Sequence, residues 1–583
     1  MMSTFIAKLT RKKHMEEDHM VTNLKRCLST LDITLLGIGH MMGSGIYVLT
    51  PSVARQTAGP AIIISYLIAG VASLLAALAY AEFGVKFPRA GSAYSYSYFS
   101  VGEFWAFFVG WNVLLENVIG ISAVARACSD YIDNLCGGVI RQWLIENIGK
   151  MGGYLLSEHP DFLAFFVIVL YVVFMSIGVQ ATSWLNNILC IINIAVLLVI
   201  ICVGGYFADI NNWTNPTTRG FMPFKMSGVL SASATCFFAY VGFDAIAAAG
   251  EEARNPQRSL PVATFCSMGL VTVLYIAVSA TLTLMVNYTE ISSRSGLPAA
   301  LAAKGVVWAE ILVTIGALAG MSTVLIGTLY ALTRIAYAMA DDGLIHGIFG
   351  KVAAKSQIPL ISMYVFSLLA AILAVILDID TLVEMMSIGT LSAYLIVSGG
   401  VIIFRYRPNQ ITKMAHELKP IGNDNGILAP IRLNNGVRAD AYDPTGQQLK
   451  PWAERFRPYF PSNCQQQMLV SSCVFVIAAS AFAVGFFTRY REANLAEWHS
   501  IVFMVVLISL GVIAFFVIVA HEQCEEPQKY KMPWVPFLPV SSIVINATLM
   551  TTLQPLTWGR LAIWLAIGLT GYFGYGLRHS KLN

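Results

Sequence analysis

Gly37-Ile38-Gly39-His40-Met41-Met42-Gly43-Ser44-Gly45-Ile46-Tyr47 and Phe237-Phe238-Ala239-Tyr240-Val241-Gly242-Phe243-Asp244 decide how this sequence is read. Each lies inside an apolar run long enough to cross a bilayer, yet neither is good helix. Glycine costs about 1 kcal/mol against alanine in a helix interior. The first stretch therefore predicts a helix that breaks near its middle. The second, a lone glycine followed by an acid, predicts the same. A break frees N–H groups at the start of one half-helix and carbonyls at the end of the other, and in hydrocarbon both need partners. An amino acid brings a carboxylate for the N–H groups and an ammonium for the carbonyls. Asp244 is placed to cap the second half-helix. The competing reading is close packing, through the Gly39/Gly43 GxxxG pair and a simple kink at Gly242.

The rest of the chain puts these stretches in a membrane. Of 583 residues, 56% are hydrophobic and 12% charged, and a soluble domain carries about twice that share of charge. About fourteen apolar segments of spanning length follow one another between residues 32 and 577. The interrupted runs are the first and the sixth, five apart, which is the pattern of an inverted repeat. The expected fold is all-α and integral to the membrane, with about fourteen transmembrane helices. Ten form an inverted-repeat core with helices 1 and 6 broken, and four follow it. The segments are a cytosolic stretch 1–31, a core 32–404, a polar linker 405–467, a four-helix region 468–577 and a tail 578–583.

Lys and Arg concentrate on the side of the N-terminus, which predicts cytosolic termini. The sequons at Asn212 and Asn287 then fall outside, where glycosylation is expected, whereas the one at Asn546 lies in a span and is expected to stay bare. No apolar core precedes a cleavage site near the N-terminus, so no cleavable signal peptide is expected. The net charge of +4 gives no reason to expect nucleic acid. The ten cysteines show no metal spacing, and neither a metal, a cofactor nor a disulfide framework is expected. No nucleophile elbow or phosphate loop points to an enzyme.

Several longer stretches carry a resemblance. They are Gly43-Ser44-Gly45-Ile46-Tyr47-Val48-Leu49, Ala81-Glu82-Phe83-Gly84 with Pro88-Arg89-Ala90-Gly91-Ser92, Val241-Gly242-Phe243-Asp244 with Gly250-Glu251-Glu252-Ala253-Arg254-Asn255-Pro256, and Met386-Ser387-Ile388-Gly389-Thr390-Leu391. In these the chain resembles the cationic amino acid transporters of the amino acid–polyamine–organocation superfamily. The resemblance implies uptake of lysine, arginine or ornithine by alternating access. It implies that backbone N–H groups of Gly43, Ser44 and Gly45 meet the substrate carboxylate. It implies that carbonyls of Ile38, Phe238, Ala239 and Val241 hold the α-ammonium, with Phe238 as an aromatic gate. Asn193 stands where proton-coupled relatives carry lysine, which implies facilitated diffusion. Glu116 resembles bacterial relatives and a divergent lysosomal branch.

Three charged groups complete the reading. Glu116, in mid-span, is a candidate partner for a cationic side chain, with a structural role as the alternative. Glu82 is expected in a structural or gating ion pair at the inner end of the second span. Glu251, Glu252 and Arg254 are expected to form a salt-bridge cluster, and Arg334 with Asp341 and Asp342 another. The expected partners are an amino acid and the bilayer, most readily the plasma membrane. A lysosomal or neutral carrier and a sensor without net transport are the rivals.

Overall fold

The computed structural model describes residues 8–13, 24, 26–43, 45–151, 156–214, 220–291, 296–354, 356–407, 448–460, 465–490, 498–524 and 529–582. Ser44 and most of the expected 405–467 linker lie outside the described residues.

The main helices are α1 (Thr30–Met41), α2 (Ile62–Lys86), α3 (Glu103–Leu135), α4 (Phe162–Met175), α5 (Val179–Tyr206), α6 (Lys225–Phe237), α7 (Asp244–Ala248), α8 (Pro256–Met285), α9 (Val307–Asp341), α10 (Leu360–Ile376), α11 (Ile379–Arg405), α12 (Gln466–Tyr490), α13 (Trp498–Ala520), α14 (Phe537–Thr551) and α15 (Pro555–Gly571). Among the described residues no strand forms, only isolated bridges. Among the described residues nine helical stretches are long and apolar enough to cross a membrane, or ten if the bent pair of α14 and the stretch through α15 is one span. Helices α4 and α10 are apolar but shorter. Every apolar segment of the sequence carries helix; α1, α4 and α10 are too short to span alone, whereas the interrupted sixth segment spans as one stretch, Lys225–Glu251.

Local chemistry sets the starts. A capping box opens α1: the Asp32 N–H meets Ser29 Oγ at 3.3 Å, and the Ser29 N–H donates to Asp32 Oδ2 at 2.9 Å. Asp161 caps α4 by accepting from Ala164 N at 2.9 Å. Pro256 and Pro555 occupy the first turns of α8 and α15, where the missing N–H costs nothing.

Compactness divides the chain into two units. The first holds residues 1–397, 529–532 and 552–583; the second holds 398–528 and 533–551. In the second, α12 packs on α13 and α14, and the Ser398 hydroxyl donates to Ser542 Oγ at 2.9 Å. Asn546 is buried there, its amide donating to Ser542 O. In the first unit, α2 packs on α8, α3 on α9, and α5 on α1 and α9. The stretch through α15 belongs with it: Trp111 and Trp564 stack at 4.5 Å and each indole donates to the other's backbone carbonyl.

Charged groups at the helix ends pair differently from the sequence reading. Glu252 pairs with Arg334 at 2.7 Å, both fully buried, instead of with its neighbour Arg254. Arg254 is exposed and donates to Cys27 O. Glu251 accepts from Ala90 N at 2.6 Å. Asp342 takes Lys13 at 2.6 Å and the Tyr94 hydroxyl, and Asp341 takes Lys581 at 2.8 Å. Sequence neighbours at a helix end point around the axis, so acids there meet bases delivered by other segments.

Both ends of the chain converge on Glu103, the first residue of α3. Its carboxylate, wholly buried, receives Arg11 through two nitrogens at 2.5 and 2.8 Å, and also the hydroxyls of Tyr98, Tyr572 and Ser580. Breaking a buried pair from one side strands the other charge, at about 3–5 kcal/mol, and the three hydroxyls that stay reduce that. Arg11→Ala is therefore expected to lower the melting temperature of the purified protein measurably, and Glu103→Gln less. An Arg11→Ala protein that melts with wild type removes this clasp from the account.

Candidate functional site

The first break is real and short. α1 ends at Met41, where Met42 N donates to Ile38 O at 2.9 Å and Gly43 N donates to Met41 O at 3.0 Å. Helix resumes as a wide turn over Gly45–Leu49 and a short helix Thr50–Val53. The second break follows α6: one tight turn over Phe238–Tyr240, extended backbone at Val241, and Gly242 at φ +133° before α7. An L side chain rarely adopts that φ. Phe243, not Asp244, is the residue before the restart, and it makes no side-chain cap. Asp244 instead sits in the first turn of α7, where its carboxylate still faces the freed N–H groups.

The two breaks touch each other. A Cβ on Gly45 would stand 2.7 Å from Ala239 Cβ, and one on Gly242 would stand 2.9 Å from His40 O. Tyr275, on α8, closes the junction. Its hydroxyl lies 2.7 Å from Met41 O and 2.9 Å from Ala239 O, one carbonyl from each break. The ring is fully buried beside Tyr66 and Tyr240.

Beside this junction is a small cavity of about 40 Å³. Its polar lining comes from His40, Glu116, Asn117, Asp244 and Thr328, and its break residues are Met41, Gly45, Phe238, Ala239 and Val241. His40 Nε2 is 3.1 Å from Thr328 Oγ1 on α9. Two carboxylates facing one cavity repel each other, and a cationic group between them offsets that. Glu116 comes close because of Gly389: a Cβ there would stand 3.0 Å from Asn112 O and 3.2 Å from Glu116 Cβ, so glycine lets α11 approach α3.

Several residues singled out in the sequence lie elsewhere. Gly43 is outside the lining, and a Cβ on it would stand 2.2 Å from Val324 Cγ2. Gly39 faces Thr323. The GxxxG pair thus packs on α9, while Gly45 and Gly242 serve the junction. Ile38 is buried in α1 and its carbonyl is taken by Met42 N. Glu82 is buried and accepts from Met532 N at 2.8 Å. Asn193 is fully buried on α5: its amide donates to Met42 O at 2.8 Å and accepts from the Tyr47 hydroxyl at 2.6 Å, pinning both sides of the first break. Of the sequons, Asn212 donates to Leu284 O and Asn287 Oδ1 accepts from Thr289 N. Among the described residues no group of His, Cys, Asp and Glu could hold a metal.

Asn117 was passed over beside the acid Glu116, and Thr328 was missed, because a lone polar residue on an apolar helix has no motif around it. Tyr275 was missed for the same reason.

The amino acid permease family model matches residues 28–429, and the model of the amino acid permease C-terminus matches residues 530–580. The chain belongs to the amino acid permease family. It is 42% identical over 583 residues to "Cationic amino acid transporter 4" of Homo sapiens, covering 99% of this chain and 91% of the relative. It is 31% identical over 606 residues to "Cationic amino acid transporter 4, vacuolar" of Arabidopsis thaliana, covering 99% and 96%. It is 39% identical over 412 residues to "Methylthioribose transporter" of Bacillus subtilis, covering 70% and 87%. This places the permease with the cationic amino acid transporters, as a multi-pass membrane protein.

Gly242 gives the sharpest test of the junction. Gly242→Ala forces a side chain into a φ that costs about 1–3 kcal/mol, and into His40 O. The expected outcome is membrane insertion at wild-type levels with uptake reduced at least about tenfold. Uptake at wild-type rate would contradict the geometry.

Proposed function

We propose that this permease carries cationic amino acids, L-arginine, L-lysine and L-ornithine, by alternating-access facilitated diffusion. The observation that carries the reading is the pairing in one cavity of Glu116 and Asp244 with the bare backbone of two broken helices. Break residues on one side suit the α-carboxylate and α-ammonium, and the two acids suit a guanidinium or ammonium side chain. The printed names of the human and Arabidopsis relatives agree with that choice. Gly45 N–H and the carbonyls of Ala239 and Val241 are the proposed backbone contacts, with Phe238 over them. The corresponding roles of Ile38, Gly43 and Ser44 rest on the family resemblance alone.

Asn193 supports facilitated diffusion, since a neutral amide holds the first break where a titrating lysine would couple a proton. Membrane potential alone then drives accumulation, about 2.3 kcal/mol per unit charge per 100 mV. We place both termini in the cytosol, glycans on Asn212 and Asn287, and the protein in the plasma membrane, with the lysosomal membrane as the alternative. A neutral solute is the second reading of the substrate, favoured by the name of the Bacillus relative.

A radiolabelled panel at two pH values and a set potential separates these readings. Arginine uptake that rises with inside-negative potential and ignores pH is expected. Glu116→Gln is expected to cut arginine uptake roughly tenfold while changing alanine uptake far less, the loss of one charge-assisted contact. Equal losses for both would count against a side-chain role for Glu116. Saturable uptake of neutral solutes alone would replace the cationic reading.

A further inference from the structure

α1, the half-helix before the first break, and α7, the half-helix after the second, are tied to each other by backbone. Leu28 lies just ahead of α1, and Ala253 lies just past α7 and the tight turn Ala249–Glu251 that ends it. The two form a parallel bridge. Leu28 N donates to Glu252 O at 3.1 Å, and Arg254 N donates to Leu28 O at 3.0 Å. Arg254 Nε adds a bond to Cys27 O at 3.1 Å. The hydroxyls of Thr30, in α1, and Ser259, in the first turn of α8, meet at 2.8 Å.

This joined pair meets its surroundings through three acids. Asp32 of α1 accepts from Asn187 of α5 at 2.7 Å. Glu251 accepts from Ala90 N at 2.6 Å. Glu252 takes Arg334 of α9, through Nη2 at 2.7 Å and Nε at 2.9 Å. The third contact differs in kind, since it joins two full charges that are 0% and 1% exposed. The arginine is fixed to its own helix: Nη1 donates to Thr333 Oγ1 at 2.7 Å, and the guanidinium lies 3.9 Å over the Tyr330 ring. The acid rides on the segment that the bridge joins to α1. A buried ion pair offsets its desolvation only while it is closed, and the separated charges need water. Parting Glu252 from Arg334 and letting water in at this end of the molecule are therefore one event.

We propose that α1 and α7 swing as one piece about the two breaks, and that Glu252–Arg334 is the lock holding that piece closed on α9. Neither residue lines the cavity. They are positioning residues, which set the side to which the cavity opens. The proposal rests on the alternating-access reading above and names the contact that governs it.

The test reads opening without any substrate. Leu36 is buried on α1, facing α5 and α9, so Leu36→Cys in the full chain reports the parting of α1 from them. Inside-out membrane vesicles are treated with a membrane-impermeant maleimide, and labelling is counted above that of the chain without the reporter. Adding Glu252→Gln is expected to speed labelling at least about tenfold, as the open population rises. Adding Arg334→Gln to Glu252→Gln removes the stranded charge and is expected to bring the rate back toward wild type. Arg334→Lys keeps the charge and loses the two-nitrogen grip; roughly threefold faster labelling is expected, and it decides the matter if Glu252→Gln does not reach the membrane. A wild-type rate in either single variant overturns the lock. A disulfide between Leu28→Cys and Ala253→Cys is expected to leave the fast labelling of Glu252→Gln unchanged, and a return to the wild-type rate on its closure overturns the single piece. In arginine transport, Glu252→Gln is expected to raise the external KM and lower the internal half-saturation, each roughly threefold. A plain loss of folded protein would not split the two constants, and their moving together overturns the proposal. If wild type moves no arginine, the substrate reading fails by itself, and the labelling rates alone decide the lock.

Discussion

One phenol holds the centre of this protein together. Two helices break at mid-span, and each break leaves carbonyls that hydrocarbon does not satisfy. The Tyr275 hydroxyl sits within hydrogen-bonding distance of one from each, Met41 O and Ala239 O. Asn193 does similar service at Met42 O. Residues of both breaks, Gly45, Ala239 and Val241 among them, also line the cavity. The irregular backbone is stable because α5 and α8 supply polar groups to it.

Glycine then decides how near the two breaks come. Gly45 against Ala239 and Gly242 against His40 make a contact that any Cβ would push apart. Gly39, Gly43 and Gly327 let α1 lie flush on α9, where a Cβ on Gly327 would stand 2.8 Å from His40 Cγ. A broken helix pressed this closely against unbroken ones has two kinds of motion open to it, hinging at the break and sliding as a whole. The proposed alternating access requires the first, and glycine at the junction of the two breaks fits that requirement.

Much of this was legible in the sequence. Apolar runs gave the helices, the glycine-rich stretch gave the first break, and a lone glycine before an acid at the corresponding position gave the second. Glu116 and Asp244 stood out because an acid in a span is rare. The family resemblance supplied the roles of single backbone groups, which no pattern of residue types encodes. Gly43 shows the limit of pattern: the substrate-loop and packing readings both call for glycine there, and its close approach to Val324 depends on which helix lies beside it. Tyr275, Thr328 and the Glu252–Arg334 pair were invisible for a different reason. Each depends on which helices become neighbours, a property of the whole fold and not of any stretch of chain.

The account stands or falls on whether the two breaks together form the seat of the transported molecule. A cryo-electron microscopy map of the purified permease with saturating L-arginine measures this directly. The account predicts density for one amino acid between Gly45 and Val241, with its side chain directed toward Glu116 and Asp244. Density confined to another part of the molecule, or α1 and α6 running unbroken through Gly43 and Gly242 with the cavity filled, would contradict it.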